Sequence, residues 1–343
     1  CRDADFAQYV LQKNQKNYIK SEIQTKDLVK YVGNGLLTSN GEYWQKQRKL
    51  IQPAFHKKHV ANLLDTVLEA IRVEYVKIRP AKTIDVFPIF NDLAFQTVVK
   101  SLFSSAASQE EINRLQFVTE ENQKMLVKEL RQPYKRFWFH VSGKLKYHLK
   151  LSEEARQILR NIVQKRKQNP KRYDDLLDML LDARYEDGQP MNEEQLIDEI
   201  LILFVAGHET TSNSLSFTTQ LLAQNPQIQD KIFAEVKAAS AGTTSLMEFL
   251  QQCPYTQNVI LESMRLYPPA YFMDRLNLEE DEFNGFKFDK NSDLLFSFYE
   301  IHRSEKHWER PLEFNPDRFA TEKNPAAYFP FGAGPRKCIG SNF

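Results

Sequence analysis

The stretch Phe331-Gly-Ala-Gly-Pro-Arg-Lys-Cys-Ile-Gly340 holds the residue with the most distinctive chemistry in the chain, Cys338. It lies in a segment too rich in Gly and Pro for a regular element, and the Ile-Gly-Ser-Asn-Phe that follows reads as the opening of a helix. A thiol at a helix N-terminus is acidified by the dipole, and the basic pair Arg336 and Lys337 pushes the same way. The pattern therefore predicts a thiolate. Gly334 and Gly340 let the backbone turn sharply and pass close to a flat ligand, and Phe331 is placed to shield the sulfur from water. Arg336, two residues before the cysteine, can reach an anionic group on that ligand. The competing reading is a structural cysteine in a Gly-rich turn, because free cysteines are usually small core hydrophobes.

Three further groups carry chemistry. In Ala206-Gly-His-Glu-Thr-Thr-Ser a glycine, an acid and two threonines interrupt an apolar helical run. Gly costs about 1 kcal/mol against Ala inside a helix, and a buried unpaired carboxylate costs more, so packing supplies no evident reason for Gly207 or Glu209. Such local inconsistency points to function. Thr210 can bond back to the carbonyl of Ala206 and open a local bulge, while His208 reads as a satisfied core histidine. Trp44 and Arg48 stand at i and i+4 on one helix face, which fits an amphipathic surface helix whose Arg stem covers the indole. Glu262 and Arg265 stand at i and i+3 in an apolar helix ended by Pro268, with Arg318 following in Pro316-Asp-Arg-Phe.

These groups need elements to position them, and the periodicity is overwhelmingly helical. Phe6, Val10 and Leu11 mark a short first helix, and a loop runs through Gly33 and Gly35. Glu42 to Leu50 forms the Trp44 helix, which Pro53 ends. Long helical patterns with charged faces fill Val60 to Arg184, with solvated ends near Lys165 and Lys171. Within them Tyr134 to Tyr147, with Phe137, Trp138 and Phe139 among basic residues, reads as helix packing, a pocket lid or a membrane-touching face. Ile200 to Ala206 is a core helix, preceded by Glu193, Glu194 and Asp198 where acids favour the dipole. Asn225-Pro226 closes it. Asn284-Gly285 between Phe283 and Phe286, followed by Leu294 to Tyr299, predicts a small β-hairpin region. Pro311, Pro316, Pro325 and Pro330 mark an irregular approach to the cysteine loop.

Composition narrows the function. The 343 residues carry 46 Lys and Arg against 45 Asp and Glu, a net charge of +1, which does not suggest nucleic acid. The three cysteines, Cys1, Cys253 and Cys338, have no Cys-x-x-Cys spacing, which argues against a disulfide framework, zinc or an iron-sulfur cluster. A reducing, cytoplasmic compartment fits. No stretch reaches the roughly 18 to 20 apolar residues of a membrane span. The chain starts at Cys1 and stops inside the apparent last helix, so it reads as a fragment and membrane attachment stays open.

Phe-x-x-Gly-x-Arg-x-Cys-x-Gly resembles the cysteine loop of the cytochrome P450 family. The other motifs follow in that family's order: Trp-x-x-x-Arg, Ala-Gly-x-Glu-Thr-Thr, and Glu-x-x-Arg with a later Arg. The resemblance implies a mainly α domain with small β-sheets, one catalytic domain over 1–343 truncated at both ends, holding haem b on Cys338. By the same resemblance Trp44, Arg48, Ala206, Gly207, Phe331, Gly334, Arg336 and Gly340 serve the cofactor. Glu209 and Thr210 manage protons at dioxygen bound in the bulge, and Glu262, Arg265 and Arg318 form a structural triad. An alanine at position 206, where a haem-esterifying branch of the family has glutamate, implies no covalent attachment.

The implied activity is a haem-thiolate monooxygenase acting with O2 on a small apolar molecule, with a fatty acid as first candidate. The electron donor would be a ferredoxin or a flavodoxin/reductase, docking on a basic face that includes Lys46, Lys49, Lys57 and Lys337. The alternatives are a haem-binding sensor or carrier, and a peroxide-driven or isomerising member of the family.

Overall fold

The computed structural model describes residues 1–78, 83–104, 106–169, 171–322 and 325–343, apart from the side chain of Lys57. The chain divides into two compact units. One comprises Cys1–Ile19, Ile71–Leu93 and Glu209–Phe343, and the other Lys20–Ala70 and Ala94–His208.

The second of these is helical. Its principal helices are Gly41–Ile51, Gln109–Arg131, Arg136–Val141, Lys144–Gln168 and Leu176–Asp182, with parts of Phe87–Phe103 and Glu193–Gln224. Gln109–Arg131 starts at a capping box, in which Ser108 accepts from the Glu111 amide and Glu111 accepts from the Ser108 amide. Its buried residues Ile112, Leu115, Val118, Asn122, Met125 and Glu129 recur at helical spacing, so one face packs inward. Each fully buried Leu, Ile or Met contributes about 1.5–3 kcal/mol. Arg166 holds one buried polar cluster in this core. Arg166 bonds Asp175 at 2.8 Å, Asp178 at 2.8 Å and the carbonyl of Phe103 at 2.8 Å.

The unit that carries the C-terminal residues combines helices with two small antiparallel sheets. Strands β1 (Tyr18–Ile19), β2 (Phe272–Asn277) and β5 (Asp293–Ser297) form one sheet in the order β1-β2-β5, and β3 (Asp281–Phe283) pairs with β4 (Phe286–Phe288). The β3–β4 turn is the expected Asn284-Gly285, with φ of 49° and 83°, the left-handed pair a two-residue hairpin requires. Two sequence readings change here. The later strand ends at Ser297, where Phe298–Ile301 turns helical, and it pairs with β2 rather than with the hairpin. Phe6, Val10, Leu11, Tyr18, Phe296, Phe298 and Phe329 form this unit's main apolar cluster, and Trp308, Phe319 and Tyr328 form a smaller one. Among the described residues no helix is long and apolar enough to cross a membrane.

Candidate active site

The cysteine loop is built from its glycines outward. Gly332 and Gly334 both take φ of +69°, a left-handed conformation costly for other residues. A Cβ on Gly334 would stand 1.9 Å from the backbone oxygen of Leu11, so this glycine lets the N-terminal segment lie against the loop. That is a packing reason, distinct from the ligand approach the sequence suggests. At Gly340 a Cβ would meet Cys338 Sγ at 3.9 Å, an ordinary contact. The Cys338 amide donates to the carbonyl of Phe331 at 2.9 Å, and the Lys337 amide donates to that of Gly334 at 3.0 Å, closing a one-turn 3-10 segment over Gly334–Arg336. Phe331 is half-buried and Cys338 is exposed, so Cys338 is not a core cysteine. The residues after it, 339–342, form only turns, so the helix N-terminus expected beside the thiol is not present in them.

Beside this loop lies a concentration of positive charge that the sequence reading missed. Arg275, on β2, is 5% exposed and donates to the carbonyl of Asp274 at 2.7 Å. Burial pulls its guanidinium down to about 10, with Asp274 offsetting in part. Arg336 is also brought down to about 10, chiefly by burial and then by the charge of Arg275. A buried guanidinium and a half-buried one that feel each other's charge destabilise each other, and an anionic group bound against them would relieve that cost. An exposed cysteine in a glycine turn with this cationic pair fits a flat, carboxylate-bearing metal complex. Among the described residues no three His, Cys, Asp or Glu side chains gather as a metal site.

The Glu262–Arg265 pair is completely buried. Arg265 Nε and Nη2 donate to the two Glu262 oxygens at 2.7 and 2.8 Å, and its remaining donors reach the carbonyls of His302 (2.6 Å), Pro311 (2.7 Å) and Glu313 (3.1 Å). Arg318 Nε donates to Glu262 Oε1 at 3.2 Å, and its Nη2 donates to the carbonyl of Arg310 at 2.7 Å. With all polar ends satisfied, the ion pair clamps the irregular segment 302–318 to the Pro254–Leu266 helix.

The Ala206–Thr211 stretch lies in the single helix Glu193–Gln224, which is α-helical at every residue. The bulge expected from Thr210 is therefore not a break in the helical ladder. His208 is 1% exposed, donates from Nδ1 to the carbonyl of Phe204 at 2.7 Å and meets Phe95 edge-on at 5.4 Å, the satisfied core role expected for it. Gly207 does have a packing reason: a Cβ there would lie 2.8 Å from Cγ2 of Val98. Glu209 is exposed with Ala206 and Thr210, so it carries no burial cost, while Ser212 behind it is buried and donates to the Glu209 carbonyl at 3.0 Å. The chemistry-bearing residues thus share the open side of the helix.

Trp44 is buried and Arg48 half-buried on Gly41–Ile51, with Arg48 Nε donating to Gln52 Oε1 at 3.1 Å. They belong to the unit containing Ala206 and Gly207, whereas Glu209, Thr210, the ion-pair triad and the cysteine loop belong to the other. Of the basic residues picked out from sequence, Lys49 pairs with Glu186, and the side chain of Lys57 lies outside the described residues. In the stretch 134–147, Phe139 is buried, but Tyr134, Phe137, Trp138 and Tyr147 are exposed, so helix packing accounts for one of the five aromatics.

The sequence profile of the family described as Cytochrome P450 matches residues 1–343. The chain is 30% identical over 318 residues to the cyclooctat-9-en-7-ol 5-monooxygenase of Streptomyces melanosporofaciens, covering 90% of this chain and 68% of that protein. It is 30% identical over 339 residues to cytochrome P450 CYP72A616 of Paris polyphylla, covering 92% and 65%. The fold is similar to that of a retinoic acid-bound cyanobacterial CYP120A1, with a TM-score of 0.81 at 24% identity over 98% of this chain and 76% of that one. The chain spans about two thirds of the length of these curated relatives. With the cysteine turn, its cationic pair and the buried Glu262–Arg265–Arg318 cluster in place, the chain belongs to the cytochrome P450 family of haem-iron monooxygenases.

Proposed function

We propose that the chain is the catalytic part of a haem-thiolate monooxygenase that hydroxylates a small apolar molecule, with Cys338 as the iron ligand and haem b as the cofactor. The observation that carries this reading is the exposed Cys338 in a left-handed glycine turn beside half-buried Arg336, which feels the charge of buried Arg275. When bound there, haem iron supplies the activation of dioxygen and the insertion of oxygen into a C–H bond. The protein does the rest. Arg336 and Arg275 neutralise the propionates, and by family resemblance Trp44 and Arg48 donate to a propionate as well. Glu209 and Thr210, on the open side of their helix, hold and pass the protons that O–O cleavage consumes. The Glu262–Arg265–Arg318 cluster keeps the approach to the loop in one geometry.

A fatty acid is the substrate we favour, on the resemblance of Ala206-Gly-His-Glu-Thr-Thr-Ser to bacterial fatty-acid hydroxylases. The relatives' names give other apolar skeletons, such as pentalenene. Electrons come from a ferredoxin or a flavodoxin-type partner; attraction to basic residues such as Lys46 and Lys337 would make that transfer slow steeply with salt. The deciding experiment is the spectrum of the reduced, carbon monoxide-bound protein beside Cys338→Ala. A strongly red-shifted thiolate band that vanishes in the variant supports the reading, and a histidine-type band or no haem refutes it. Thr210→Ala then separates monooxygenase from carrier: it should divert electrons to peroxide, and an unchanged product yield would remove Thr210 from the proton path.

A further inference from the structure

His302 is wholly buried and belongs to no motif read from the sequence. It follows the short helix Phe298–Ile301, and its backbone and side chain face two different parts of the site. Its carbonyl accepts from Arg265 Nη1 at 2.6 Å, and its ring nitrogen Nε2 accepts from the Phe329 amide at 2.8 Å. Phe329 in turn accepts from the Gly332 amide at 3.1 Å, and two residues after Phe329 the carbonyl of Phe331 accepts from the Cys338 amide at 2.9 Å. An unbroken line of hydrogen bonds and two peptide units therefore runs from the buried ion pair to the cysteine. The ring lies in an aromatic stack, 6.2 Å from Phe298 and 6.5 Å from Phe329, with Tyr328 at 5.3 Å. Tyr328 adds a parallel tie, donating its hydroxyl to the carbonyl of Leu261 at 2.7 Å.

We propose that His302 is a positioning residue for the cysteine loop, in which the imidazole Nε2 serves as a fixed acceptor that sets where the segment Phe329–Phe331, and hence Cys338, is held. The proposal rests on the functional reading above only in naming Cys338 as the ligand. An amide N–H can be accepted only by an unprotonated nitrogen, so the ring is neutral with its proton on Nδ1. Burial, reinforced by the charge of Arg265, pushes the imidazole down to about 3, so that state persists throughout the working range. Among the described residues Nδ1 forms no hydrogen bond of normal geometry, although the backbone of Arg265 and Met264 acts on the ring and offsets part of that shift, so Nε2 and the stacking faces are what reaches the Phe329 segment. A hydrophobic ring would fill the same space but leave the Phe329 amide buried without an acceptor.

The test compares His302→Phe, which keeps the stack and loses the acceptor, with His302→Gln, whose side-chain oxygen reaches where Nε2 lies, in the haem-loaded protein. Two readouts are taken: hydrogen exchange at the Phe329 and Cys338 amides, and the share of the carbon monoxide spectrum in the thiolate band. We expect His302→Phe to lower protection at both amides by about tenfold or more and to move part of the band to the neutral-thiol position, with His302→Gln restoring both. Wild-type behaviour in His302→Phe overturns the proposal. Equal loss in both variants also overturns it, because the stacking and not the acceptor would then be responsible. If His302→Phe does not fold, His302→Asn, too short to reach Phe329, replaces it with the same expectations. A wild-type protein without a thiolate band refutes the functional reading alone, since amide protection still reports on His302.

Discussion

Glu199 should make this protein less stable as pH rises through neutrality, a trend opposite to that of most carboxylates. It is 1% exposed on the Glu193–Gln224 helix; Oε2 accepts the Leu36 amide at 3.1 Å and Oε1 has no partner. Gly35 is pressed against it so closely that a Cβ there would lie 2.6 Å from the carboxyl carbon. Burial pushes the carboxyl up to about 7, and the charge of Asp198 adds to the shift, while the Leu36 amide and Lys20 pull it down. Tyr43 and Tyr185 also stand within its field. Because the folded pKa lies above the unfolded one, the stabilisation is complete below about 4.5 and is lost as pH rises to about 7. A shift from 4.5 to about 7 corresponds to about 3 kcal/mol. Full burial means no discount for solvent screening is needed. Glu199→Gln cannot ionise and can still accept the Leu36 amide. Urea denaturation of both proteins from pH 4.5 to 8.5 should therefore give similar stability at the acid end and an advantage to the variant of about 2–3 kcal/mol at the alkaline end. Parallel pH profiles would refute the reasoning, since other groups titrate equally in both.

Three other outcomes follow from the geometry. Gly334→Ala forces a left-handed residue to carry a Cβ into the Leu11 backbone and should cost about 2 kcal/mol or more with loss of haem retention, whereas Gly340→Ala should cost under about 1 kcal/mol; denaturation with a haem titration distinguishes them. Arg318→Ala removes one charged hydrogen bond from Glu262, which keeps both bonds to Arg265, and should destabilise by about 1.5–3 kcal/mol, measured from the shift of the urea midpoint at unchanged slope. Phe139→Ala should cost about 3 kcal/mol, while Phe137→Ser and Trp138→Ser, both exposed, should each stay within about 0.5 kcal/mol; the same melts check all three.

Several features were legible because the interaction behind them is local. Asn284-Gly285 specifies its own turn, and Glu262 and Arg265 meet because three residues is nearly one helical turn. The helical character of Gln109–Arg131 and Lys144–Gln168 follows from apolar spacing alone. The strand β2 was not legible, because its pairing with β5 joins residues some twenty positions apart and nothing in Phe272–Asn277 alternates cleanly. Gly207 looked functional for want of a packing reason until Val98, on another helix, supplied one. Glu209 looked buried because its neighbours in sequence are apolar, but burial depends on which side of the helix is covered.

The family was thus written in the chain, since the resemblance rests on Cys338, its glycines and Arg336 lying within a few residues of one another, and the family profile matches residues 1–343. What surrounds the site was not. Arg275 acts on Arg336 only because β2 brings its buried guanidinium within reach of that charge, and Arg318 joins the ion pair across more than fifty residues. His302 and Glu199 are ordinary polar residues in sequence; complete burial makes one a fixed acceptor and lifts the carboxyl of the other toward neutrality. Spacing along the chain determines which groups can act together locally, but desolvation and long-range pairing exist only once distant segments have packed, and those decided the electrostatics of this protein.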